Sequence, residues 1–83
     1  MTEYSLLKAY RVHHELALKL GYSGTTALTK AMVDFTQSMI KIFGPGEDWD
    51  HETKIHYREI LGEVHAGRHP LFTLGKYCER RAA

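Results

Sequence analysis

The sequence predicts an all-α fold, a small helical bundle of three long helices plus a short C-terminal fourth, in a single domain over residues 1–83. Three observations predict it. Apolar residues recur at three- and four-residue steps along most of the chain. Glycine and proline stops separate the periodic segments, at Gly21, at Gly44-Pro45-Gly46 and at Gly67. No segment alternates apolar and polar residues as a half-buried strand does, and no repeat or low-complexity stretch breaks the pattern.

Thr2 can cap a first helix, in which Leu6, Leu7, Tyr10, His14, Ala17 and Leu18 recur at helical spacing. Gly21 ends it, because a left-handed residue is needed to close the last turn and glycine adopts that shape without steric cost. Ser23 or Thr25 caps the second helix. There Leu28, Ala31, Met32, Phe35, Met39, Ile42 and Phe43 form one stripe, and Val33 and Ile40 widen it beyond one face. After the Gly44-Pro45-Gly46 break, Asp48 or Asp50 caps a third helix with Tyr57, Ile60, Leu61 and Val64 on one side. Pro70 opens the short fourth, with Leu71, Leu74, Tyr77 and Cys78 facing inward.

With 83 residues the chain has a thin core, burying only about 60% of the surface its unfolded form exposes. Helix one carries five leucines and helix two has apolar residues on more than one side, more than three helices of this size cover. Either the fourth helix or a partner covers the excess, and a homodimer is the simplest partner. The net charge of +1 places no strong electrostatic demand on a partner, so nucleic acid is neither implied nor excluded. One cysteine, Cys78, rules out an internal disulfide and suits a reducing interior, which makes the cytoplasm the expected location. The opening residues mix acidic and basic side chains with no long apolar run, so neither a signal peptide nor a membrane span is expected.

The stretch A-L-K-L-G-Y-S-G-T-T-A-L-T-K-A at residues 17–31 is a helix, a glycine stop and a second helix start. Its Ala17, its Leu20-Gly21-Tyr22-Ser23 turn and its Thr29-Lys30 pair resemble the helix-turn-helix of AraC-type transcription regulators. Ala17 is small enough for the helices to approach, and Ala27, Leu28 and Ala31 would seat a recognition helix. The resemblance implies that Gly24, Thr25, Thr26, Thr29 and Lys30 face a DNA groove or its phosphates. That family's DNA-binding region has two such motifs, and the rest of this chain shows no second one. Lys30 is also the only basic residue of the second helix before Lys41, whereas phosphate contacts draw on several cations. DNA reading is therefore the alternative expectation, beside a glycine-stopped corner of a bundle.

The segment E-D-W-D-H-E at residues 47–52 sets four carboxylates around one tryptophan. Acids at a helix start complement its dipole and cap it. Glu47, Asp48, Trp49 and Asp50 also form a candidate protein-binding loop, with Trp49 as the aromatic anchor. The C-terminal stretch, with Arg68, Lys76, Arg80 and Arg81 against Glu79, can pair with that loop in a second copy or extend as a tail.

Six histidines call for a metal check. His65-x-x-x-His69 has one-turn spacing but Gly67 interrupts it, His13 and His14 point to different faces, and Glu52 with His56 has no visible third ligand. No metal or cofactor is expected. No nucleophile-base pair, paired carboxylates or phosphate loop supplies a catalytic constellation, so no catalytic residue is assigned. The expectation is a non-enzymatic regulatory or inhibitory module, of the size common in bacteria and their phages, acting on a protein partner.

Overall fold

A computed structural model of the chain describes residues 3 to 70. They form three α-helices, α1 (Glu3–Lys19), α2 (Gly24–Phe43) and α3 (His51–His65), with a 3-10 turn at Gly46–Asp48 between the last two. No strand occurs among the described residues. The cap expected at Thr2 lies outside them, as do Leu71, Leu74, Tyr77 and Cys78 of the expected fourth helix.

The helix ends follow from local chemistry. Gly21, at φ 99°, lets α1 close with two reversed hydrogen bonds, from Gly21 N to Leu18 O at 3.0 Å and from Tyr22 N to Ala17 O at 3.1 Å. Gly67, at φ 79°, does the same for α3 through Gly67 N to Val64 O and Arg68 N to Glu63 O. Between α2 and α3, Gly44 at φ 86° and Pro45 end the helix and start the 3-10 turn. Of the two expected caps for α3, Asp50 is the one used: its carboxylate accepts from Thr53 N at 2.7 Å. Ser23 holds the cap position of α2 with extended backbone but makes no capping hydrogen bond, and Thr25 lies inside the helix.

α1 and α2 pack most extensively and α3 rests against both. Leu6, Leu7 and Tyr10 of α1, Leu28, Ala31, Met32, Phe35 and Met39 of α2, and Ile60 and Val64 of α3 form one core with Trp49. The Tyr10 hydroxyl donates to Leu28 O at 2.9 Å, which supplies a buried phenol with its partner across the α1–α2 interface. Burial pushes that phenol up to about 12. Aromatic rings run through the core in sequence: Trp49 on Tyr57 at 5.1 Å, Tyr57 on Phe35 at 6.2 Å, Phe35 on Tyr10 at 6.0 Å.

Three positions depart from the expected stripes. Ile42 is 70% exposed and Phe43 44% exposed, although both continue the spacing of the α2 core residues. Met39 is the last residue of that stripe that neighbours cover. Leu18 is also exposed, because the core-facing side of α1 runs through Tyr10 and Ala17 and leaves it on the flank.

Candidate functional site

α2 carries a second face beside its core stripe. Thr25, Thr29, Val33 and Thr36 follow one another at three- and four-residue steps, and the same spacing continues to Ile40 and Phe43. The first four, with Met32 and Gln37, form one wall of an open groove of about 660 Å³. Tyr57, Leu61, Val64 and His65 of α3 form the other wall, and Gly67 closes the end. The Thr36 and Tyr57 hydroxyls, 2.8 Å apart, tie the two antiparallel walls together, and the Thr25 methyl lies beside Gly67 at the far end. Val33 stands 48% exposed on the rim. The groove is thus a mostly apolar trough with hydroxyls at intervals.

The residues expected to face DNA divide. Gly24, Thr25, Thr26 and Thr29 are exposed at the start of α2 and Lys30 is half-buried, on the corner that Gly21 closes. Their hydrogen-bonding groups are partly used within the helix. Thr29 Oγ1 donates to Thr25 O at 3.0 Å, and Lys30 Nζ meets Asp34 Oδ1 at 3.2 Å while lying 5.9 Å from the Tyr22 ring centre. Thr25 and Thr29 also belong to the groove, so the candidate DNA face and the groove share one helix surface.

The acidic loop needs correction at its aromatic residue. Trp49 is only 9% exposed and is part of the core, not an anchor held out to a partner. Its indole Nε1 donates to Gly44 O at 3.0 Å, and its ring lies over Gly46 and against Tyr57. The physical reason is the double glycine break, which folds the chain tightly enough to bring the ring back under α2 and α3. Glu47, Asp48 and Asp50 remain exposed. Asp50 is occupied as the α3 cap, and its hydrogen bonds from the Thr53 side chain and backbone hold its carboxyl below the ordinary range. Phe43, Asp48, Trp49, Asp50 and Thr53 border a smaller cleft of about 250 Å³.

No protein-family model, curated protein or solved structure matches the chain.

The histidines are arranged differently from their sequence spacing. His69 packs edge-on against His14, ring centres 4.5 Å apart, and against Tyr10 at 5.3 Å, while His65 lines the groove. Burial, then the neighbouring His14 and Arg11, holds the His69 imidazole below its ordinary value. Glu52 and His56 pair at 3.4 Å. Among the described residues no group of three or more His, Cys, Asp or Glu could hold a metal, and Cys78 lies outside them. No described helix is long and apolar enough to cross a membrane. Helical spacing alone does not disclose the groove, although Val33, which lines it, falls off the core stripe.

Proposed function

We propose that this chain is a non-enzymatic regulatory or inhibitory module that acts by docking a protein partner in the groove between α2 and α3. The observation that carries the reading is the groove itself, a mostly apolar trough with Val33 exposed on its rim. Affinity capture from cells that contain the protein, with wild type and Val33→Glu side by side, tests it. A partner retained by the wild type and lost by the variant is the expected result. Capture that is indifferent to Val33→Glu would move the docking surface elsewhere.

Self-association belongs to the same reading. Val12 and Leu16 of α1 and Leu20, just past its end, follow one another at four-residue steps and are all exposed, Leu20 at 71%. Such a stripe is suited to a homodimer, with the groove left open on another face. Light scattering at high micromolar concentration should give the mass of a dimer. A strict monomer would remove the dimer from the proposal.

DNA reading through Gly24, Thr25, Thr26, Thr29 and Lys30 is the second reading, favoured by the exposed first turn of α2 beside the α1–α2 corner. Against it stand the Lys30–Asp34 pair and the shortage of other cations on that turn. The double variant Thr26→Asp, Lys30→Glu separates the two. Neither it nor the wild type should shift a duplex at physiological salt. A salt-sensitive shift by the wild type, abolished in the variant, would replace the protein-docking proposal with this one.

A further inference from the structure

The groove has a charged border as well as an apolar floor. On α3, Lys54, Arg58, Leu61 and His65 follow one another at steps of four, three and four, so the two cations share the stripe of Leu61 and His65, Arg58 next to the groove residue Tyr57 and Lys54 about one turn before it. Lys54 Nζ donates to the backbone carbonyl of Glu47 at 3.2 Å, a neutral partner, and among the described residues no carboxylate pairs with Lys54 or Arg58. The acids of α3 are on its other side: Glu52, Glu59 and Glu63 share a stripe of their own, where Glu52 meets His56 and Glu63 meets Arg68 at 2.7 Å. On α2 the outer rim runs through Lys30, Val33, Gln37 and Lys41 at steps of three, four and four, with Asp34 offsetting Lys30 alone. The charges of α3 are thus sorted, cations on the stripe that carries Leu61 and His65 and acids on the opposite one, while on α2 Lys30 is offset by Asp34 and Lys41 stands one turn past Gln37.

We propose that the α2–α3 groove receives an amphipathic helix whose apolar face is bordered by carboxylates. The proposal rests on the protein-docking reading above and names the class of partner. A helix is the form that fits, because its backbone groups are satisfied internally and it can lie on an apolar floor without unpaired N–H and C=O groups. Both walls are helices, so no strand edge is offered to an extended segment. From Thr25 to Gln37 the α2 wall is about 18 Å long at 1.5 Å per residue, which matches about three turns of a docked helix. Carboxylates at the edge of that helix face Arg58 and Lys54 on the α3 side, while its apolar residues meet Met32, Val33 and Leu61.

Two labelled peptides of about 16 residues test this, long enough to span the wall. They share one leucine face and differ only in flanking residues, all Glu in one and all Lys in the other. Fluorescence anisotropy against the full chain should show the Glu-flanked peptide binding about tenfold more tightly, the sum of several modest rim pairs. That preference should shrink as salt rises from about 50 mM to about 500 mM. The double variant Lys54→Glu, Arg58→Glu should reverse the preference, and Arg58→Gln alone should reduce it with the melting midpoint unchanged. Val33→Glu should remove binding of both peptides. Equal binding of both peptides, lost in Val33→Glu, would overturn the acidic partner and leave the docking groove standing. Binding of neither peptide would overturn both, as would saturable binding of a labelled DNA duplex that Lys54→Glu, Arg58→Glu abolishes.

Discussion

Trp49 ties three parts of the chain together: its indole donates to Gly44 O, its ring covers Gly46, and its edge meets Tyr57 of α3. A side chain in that position stabilises by packing and by satisfying a carbonyl that the end of α2 leaves open. Trp49→Ala should therefore cost about 3 kcal/mol of folding stability, in the range of large-to-small core changes, as measured by denaturant titration. Trp49→Phe should cost less, since most of the packing stays and only the hydrogen bond is lost. An unchanged midpoint in Trp49→Ala would return the residue to the surface role its acidic neighbours suggest. Asp50 shows the same division between appearance and use, as its exposed carboxylate is spent on Thr53 N.

At the scale of the element, α2 is the helix with two occupations. Leu28, Ala31, Met32, Phe35 and Met39 bury one side in the core, and Thr25, Thr29, Val33 and Thr36 turn the adjacent side to the groove. The entry to this helix depends on Gly21, since Ser23 provides no side-chain cap and the corner is closed by backbone bonds that require a left-handed residue. Space is not the constraint there, because nothing lies within 4 Å of a Cβ placed on Gly21. Gly21→Ala should then lower stability by about 1 kcal/mol through backbone strain alone, and Gly21→Asn by less. Equal stability of all three proteins would show that the corner tolerates a right-handed closure.

For the whole molecule, the contact between His69, His14 and Tyr10 fastens the chain beyond α3 to the middle of α1. His69 titrates below its ordinary value in the folded chain, so just below that value the unfolded state binds more protons than the folded one. Stability from this group is present above the ordinary imidazole value and is lost as pH falls from there toward the folded value, below which the loss levels off. Melting temperature should decline across that acidic window in the wild type and decline less in His69→Gln, as followed by circular dichroism. Identical pH profiles would show that His69 carries no linked proton.

The sequence by itself determined the three long helices, their stops at Gly21, Gly44-Pro45-Gly46 and Gly67, and an aspartate cap on the third at Asp48 or Asp50, because each depends on neighbours a few residues away. It also marked Val33 and Ile40 as apolar residues without a place on the core stripe. Tertiary structure decided where the remaining apolar residues went. Trp49 sits among acids and reads as a surface anchor, yet the turn that buries it is defined by contacts with Gly44 and Tyr57. Phe43 and Ile42 continue a buried stripe in sequence but stand exposed beyond Met39, the last buried residue of that stripe. The groove is a property of two helices at once: its walls come from residues 25–37 and 57–67, and helical spacing within either one cannot say which face the other will leave open.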